Sequence, residues 1–441
     1  IARDEKWYYE SHGAGGAGGG GCCGGGGGGA AQESACCGSA AQVSACCTPA
    51  SSASNNGPGA TSTNPFETLS TCIALIEIVD SCNLTCPTCY AESPYGVNER
   101  VDCTPFEQIV SRVNGVVQRK GAIDILQLSG GEPTIHPEFE RVLRWAVTQP
   151  KIGYVLVNTN LVRVAGDERF RAMLADVRAN HGKFELYAQF DGVQQTGQTE
   201  LRGADLRAMR ERAIDLAGAL GVPTTLAMVV DERTLPGIGD TLRWALARPH
   251  VRGITFQPVF TSGRVAAVES HTLPMFAKWG RDTGLGVGDV IKACTEHAPE
   301  LLCADDFTPL PCGDPNCHTI GYMLRTDDGP VGMSRLIDLP MLQGFLSNRV
   351  NYNLNDLARC GCETEPLGEL LKALEIGPEK PFRIFIKPFM DAMTFDQDRI
   401  DRCCTHVVTP DGTLDSFCRY YLNGGRHGSA RLAERAREAA R

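Results

Sequence analysis

Between residues 71 and 264 the apolar and polar positions follow two alternating periods. Residues 72–79 form a nearly unbroken apolar run, Cys72-Ile73-Ala74-Leu75-Ile76-Glu77-Ile78-Val79, of the length of a buried strand. Further runs of strand length lie at 123–128, 154–157, 184–190, 224–230 and 253–259. Between them, at 105–119, 137–148, 168–180, 205–220 and 237–247, apolar residues recur at helical spacing. Strand and helix alternate about six times. That order predicts an α/β fold of parallel βα units, closed or partly closed as a barrel, with its chemistry at the C-terminal strand ends. Beyond 264 the pattern loosens. It predicts a helix near 271–283, a cysteine-bearing loop at 294–317, a helix at 367–374 and a strand at 382–389. A hairpin over 405–421 would turn at Pro410-Asp411-Gly412, and an Arg/Glu/Ala helix at 430–441 would end the chain.

Residues 1–63 carry neither period. Sixteen of them are glycine, with Ala, Ser, Thr and Asn around them. Such a segment has too little apolar surface to offset its ordering entropy and reads as a disordered tail. The division expected is a tail at 1–63, a core barrel at 64–264, a C-terminal extension at 265–425 and a charged helix at 426–441. Net charge is −10, from 52 acidic and 42 basic residues, which gives no electrostatic footprint for nucleic acid. No apolar run approaches the ~18–20 residues of a membrane span. The first twelve residues are polar, with Arg3, Asp4, Glu5 and Lys6, and do not read as a signal peptide. Twenty cysteines in a 441-residue α/β-patterned chain read as metal ligands before disulfides, so a reducing cytoplasm is expected.

The loop after the first strand reads Cys82-Asn83-Leu84-Thr85-Cys86-Pro87-Thr88-Cys89-Tyr90, a Cys-x-x-x-Cys-x-x-Cys spacing. Three thiolates on one short loop can hold three corners of a [4Fe–4S] cubane and leave one iron open to chelate a small molecule. Taken alone, the spacing also suits zinc or a disulfide. The second strand ends in Ser129-Gly130-Gly131-Glu132-Pro133. In these two motifs the chain resembles the radical S-adenosylmethionine (SAM) superfamily, over about residues 70–264. The resemblance implies a partial (βα)6 TIM-like barrel whose cluster is held by Cys82, Cys86 and Cys89. Gly130, Gly131, Glu132 and Pro133 would receive the methionine amino group. Asn158, Thr159 and Asn160 at the third strand end, and Gln189 and Asp191 at the fourth, would be the ribose and carboxylate stations. Gln257 at the sixth would contact adenine. The superfamily usually has an aromatic just before the third cysteine; here Thr88 stands there and Tyr90 follows, the aromatic that would pack on the cofactor.

Several further segments are more specific: Gln189-Phe190-Asp191-Gly192 with Leu201-Arg202-Gly203, Thr261-Ser262-Gly263-Arg264, Phe389-Met390-Asp391-Ala392, Arg402-Cys403-Cys404-Thr405-His406, and Thr409-Pro410-Asp411-Gly412 leading to Phe417-Cys418. These resemble the branch containing archaeal tetraether lipid synthase and the class D radical SAM methylases, over about residues 70–423. That branch carries an N-terminal Cys-x-x-Cys metal module. This chain has instead the adjacent pairs Cys22-Cys23, Cys36-Cys37 and Cys46-Cys47. The resemblance implies reductive cleavage of SAM to a 5′-deoxyadenosyl radical, a low-potential donor such as ferredoxin or flavodoxin, and a small-molecule or lipid substrate. The product would be a lipid–lipid carbon–carbon bond or a methylated lipid or pterin.

Cys312, Cys317, Cys360, Cys362, Cys403, Cys404 and Cys418 are candidates for an auxiliary [4Fe–4S] cluster, with Cys312, Cys317, Cys404 and Cys418 the first choice. Buried apolar thiols, common for isolated cysteines, are the alternative reading. His318 and His406 stand beside this set. Other readings stay open: a peptide-modifying radical enzyme, a non-catalytic cluster carrier, or a soft-metal thiol protein acting through the tail pairs.

Overall fold

The computed structural model describes residues 71–264, 284–309, 314–336 and 380–428. The tail pairs, the helices expected at 271–283, 367–374 and 430–441, and Cys312, Cys360 and Cys362 lie outside them.

The six expected strands are present as β1 (Ile73–Val79), β2 (Ile123–Gly130), β3 (Ile152–Thr159), β4 (Phe184–Gln189), β5 (Thr224–Val230) and β6 (Val251–Pro258), paired in parallel in sequence order. Every residue of β1 is buried, as expected of a parallel strand covered on both faces. The helices between them are α1 (Phe106–Lys120), α2 (Phe139–Thr148), α3 (Glu168–His181), α4 (Arg207–Ala219) and α5 (Ile238–Leu246). In α1 the buried residues are Ile109, Val113 and Val116, one stripe at helical spacing turned to the sheet. Asp167 caps α3 by accepting from Phe170 N at 3.0 Å, and Gly182 ends it at φ 64°.

The extension adds α6 (Val287–His297), β7 (Phe307–Pro309), β8 (Thr319–Thr326), β9 (Gly329–Gly332), β10 (Pro381–Ile386), β11 (Thr405–Val408), β12 (Leu414–Ser416) and α7 (Phe417–Leu422). Two of these strands enlarge the barrel beyond the sixfold expectation. β10 pairs in parallel with β6, and β11 in parallel with β1. The parallel run is therefore β11-β1-β2-β3-β4-β5-β6-β10, with β8, β7 and β9 antiparallel beyond β10. The expected hairpin forms between β11 and β12 and continues into α7. The strand expected at 382–389 ends at Ile386, so Lys387 and Phe389 leave the sheet at its C-terminal rim.

Inside the barrel, side chains alternate with period two, and their polarity changes along each strand. Ile73, Ile125, Leu156, Phe385 and Cys404 pack into an apolar floor with Ile320 of β8. Two residues further along β2 and β3 come Gln127 and Asn158. Gln127 Nε2 donates to Asn158 Oδ1 at 2.7 Å, and Asn158 Nδ2 donates to Ser129 Oγ at 2.9 Å. The barrel thus has an apolar base and a polar upper end, where the motif loops converge.

Candidate active site

The cysteine loop leaves β1 and is held on three sides. Cys82 N donates to Pro94 O at 2.8 Å and Gly96 N to Cys82 O at 3.0 Å. From β2, Gly131 N donates to Val79 O at 2.9 Å and Glu132 N to Ser81 O at 3.1 Å. From beyond β6, Arg264 N donates to Cys89 O at 2.9 Å, with Gly263 packed on the Cys89 and Tyr90 carbonyls. The Gly130-Gly131 pair is required by this approach. Gly130 has φ 121°, and a Cβ on either glycine would overlap a carbonyl oxygen of Val79 or Ser81. These glycines meet the cysteine loop's own backbone as well as the cavity.

Cys82, Cys86 and Cys89 line one cleft, whose open space is about 1320 Å³ including the part continuous with solvent. Burial, then the charge of Glu132, pushes the Cys82 thiol up to about 12. Its sulfur accepts from Leu84 N at 3.4 Å and Asn160 Nδ2 at 3.7 Å. Glu132 is buried, and desolvation raises its pKa although its oxygens accept from Asn160 N at 2.6 Å and Thr134 Oγ1 at 2.5 Å. A carboxylate has acceptor capacity beyond these bonds. Three thiols and a buried acceptor on one cleft fit a cationic iron–sulfur group, which would deprotonate the thiols on binding. Among the described residues no three His, Cys, Asp or Glu side chains converge as ligands of a single metal ion. A cubane instead spaces its thiolates at separate corners, so the donor set, all sulfur, suits a cluster.

The structure brings most of the expected stations to this cleft: Tyr90, Gly130, Gly131, Glu132, Asn158, Thr159, Asn160, Gln189 and Gln257 all line it. Gln257 Nε2 donates to Tyr187 OH at 2.9 Å. The Tyr90 ring packs edge-on to Tyr421, with centroids 4.8 Å apart, and tilted to Phe260 and Phe417. Two stations are placed elsewhere. Pro133 opens a buried 3₁₀ turn behind Glu132. Asp191 lies beneath the cleft, paired with Arg202 at 2.6 Å and Arg210 at 2.9 Å. The carboxylate moved inward because two arginines from the following helices close on it. Arg202 is the residue that reaches the cleft, within electrostatic reach of the Cys86 thiol. The Leu201-Arg202-Gly203 motif marked its segment, but only packing shows which way each charge faces. Thr88, at the position usually aromatic, donates to Leu201 O at 2.9 Å and so fastens the cysteine loop to that segment.

On the opposite wall stand Lys387, Phe389, Thr405 and Phe417. Behind them are four more thiols. Cys403 lies within electrostatic reach of Cys317, Cys404 and Cys418. Burial, then mutual repulsion among thiols, raises Cys403, and burial raises Cys418 to about 12. Burial also leads the rise of Cys317 to about 11, opposed by the charge of Arg399. His318 bonds to the Cys404 thiol. His406 has its Nδ1 2.9 Å from Thr71 Oγ1. Cys403 thus joins Cys317, Cys404 and Cys418, while Cys312 lies outside the described residues.

Residues 76–245 match the family model of the radical SAM superfamily. The chain is 25% identical over 413 residues to 7,8-dihydro-6-hydroxymethylpterin dimethyltransferase of Methanocaldococcus jannaschii, covering 80% of this chain and 76% of that protein. It is 26% identical over 188 residues to mycofactocin maturase MftC of Mycobacterium ulcerans, covering 40% of this chain and 47% of the relative. Among solved structures, SuiB of Streptococcus suis bound to S-adenosylmethionine is similar with TM-score 0.35 and 15% identity, over 43% of this chain and 40% of that one.

Proposed function

We propose, from the premise that residues 76–245 of this chain are a radical SAM domain, that the protein forms a carbon–carbon bond at an unactivated C–H position of an apolar or ring-bearing substrate, by methylation or by coupling. The observation that carries this reading is the single cleft that joins Cys82, Cys86, Cys89 and Glu132 to the wall of Phe260, Phe389 and Phe417.

Cys82, Cys86 and Cys89 would hold a [4Fe–4S] cluster with one open iron, and SAM would lie along Gly130–Glu132, Asn158–Asn160, Gln189 and Gln257. When bound, cluster and SAM together supply a 5′-deoxyadenosyl radical, which removes hydrogen from carbon. The chain's own residues orient and protect. Glu132 presents acceptor oxygens to an ammonium, and Arg202 presents a guanidinium to a carboxylate. The aromatic wall excludes water and receives an apolar substrate. Cys317, Cys403, Cys404 and Cys418 would hold an auxiliary cluster behind that wall. A low-potential ferredoxin or flavodoxin would supply the electron.

The kinship with a pterin dimethyltransferase supports methylation of a pterin-like substrate. The peptide reading calls for a charged pocket; the far wall carries Lys387 among apolar side chains, which favours the apolar substrate. The test is anaerobic reconstitution of the full chain, reduction with SAM, and measurement of 5′-deoxyadenosine. Wild type should form it, and Cys82→Ala should fall to background. Mass spectrometry of incubations with reduced pterins or extracted lipids should then show added carbon; unchanged pterins and lipids beside active SAM cleavage would overturn the substrate assignment.

A further inference from the structure

We propose that Asp191 is a positioning residue that acts through Arg202 on the Cys86 sulfur and thereby raises the reduction potential of the cluster at Cys82, Cys86 and Cys89. The inference rests on the reading of that site as a cluster site.

Asp191 follows β4, and its side chain is wholly buried. Arg202 Nε and Nη2 each donate to it at 2.6 Å, Arg210 Nη1 at 2.9 Å, and Val229 N, from the neighbouring strand, at 3.2 Å. Burial pushes the Asp191 carboxyl up, but the two guanidiniums outweigh this and hold it ionised. The side-on fork uses Nε and Nη2 of Arg202 and fixes the plane of the guanidinium. Its remaining donors stay available, and the same group borders the cleft that Cys86 lines, within electrostatic reach of that sulfur. The bond from Thr88 to Leu201 O keeps the cysteine loop and the Arg202 segment in register. Arg202 is therefore a cation locked beside one cluster ligand.

Reduction adds one negative charge to a cluster. A fixed cation and an N–H donor at a ligand sulfur favour the reduced form, which raises the potential. Two arginines face one aspartate, so losing Arg202 still leaves the neutral buried pair Asp191–Arg210. Arg202→Gln should consequently fold and hold iron.

The experiment is an electron-paramagnetic-resonance redox titration of the reconstituted full chain without SAM, with iron and sulfide content measured for each protein. The relevant signal is the one missing from Cys82→Ala. Arg202→Gln should lower its midpoint by at least a tenfold shift in the oxidised-to-reduced ratio, 59 mV for one electron. Arg202→Lys should fall between. Asp191→Asn should lower the midpoint although Arg202 is intact; if that variant holds no iron, Asp191→Glu, which keeps the charge and moves the guanidinium, replaces it. An unchanged midpoint in iron-replete Arg202→Gln overturns the inference. A wild type with no signal dependent on Cys82 overturns the cluster reading itself, a separate result.

Discussion

Gly131 shows how little freedom the site leaves a single residue. Its Cα faces the carbonyls of Asp80 and Ser81 at the root of the cysteine loop. A methyl group there must displace backbone rather than a mobile side chain. Gly131→Ala should cost about 1–3 kcal/mol in thermal unfolding, as forced overpacking does. Iron bound after reconstitution should fall with it, because Cys82 follows Ser81 directly. Normal melting and full iron content would show that the loop yields, contrary to this account.

Among elements, α7 is the one most dependent on a distant partner. Tyr420 and Tyr421 hydroxyls each donate to Glu77 of β1 at 2.8 Å. Glu77 is buried, and desolvation, only partly offset by those two bonds, raises its pKa from the ordinary 4.5. Between the ordinary and the raised value the folded chain holds a proton that the unfolded chain has released. Glu77 therefore contributes a loss of stability as pH rises through that window, about 1.4 kcal/mol per unit of it. Glu77→Gln removes the ionisation and should gain on wild type in melting temperature as pH rises from 4.5. Parallel melting curves at every pH would contradict the assignment. The same clamp places Phe417 and Tyr421 against Tyr90, so the last described α-helix borders the cleft.

For the molecule as a whole, the barrel is completed from the chain's far end. β11 covers the edge of β1 and β10 the edge of β6. Phe382, Ile384, Ile386, Val407 and Phe417 belong to the main core. A fragment ending at Arg264 would expose both edges and that apolar surface, inviting edge-to-edge association. Such a fragment should aggregate or remain unfolded by circular dichroism and gel filtration, whereas the full chain should not. A monomeric, cooperatively melting fragment would show that six strands suffice. Among the described residues no helix is long and apolar enough to cross a membrane.

The local code was legible. Strand and helix periods, the Cys-x-x-x-Cys-x-x-Cys spacing and Gly130-Gly131-Glu132 each depend on residues close in sequence, and the six strands and five helices follow them. The hairpin at Pro410-Asp411-Gly412 was legible for the same reason. What periodicity did not reveal depends on pairing between distant segments. A six-residue run such as β10 gives no sign of which edge it joins, and β11 is too short to show a period. Asp191 and Arg202 are both charged residues in one segment, and no pattern tells which is buried and which faces the cleft. That was decided by Arg210, on the next helix, whose second cation made the aspartate the natural centre of a buried triad. Likewise Cys403 and Cys317 are more than eighty residues apart, and only the folding of β11 and β8 into one barrel brings their thiols together.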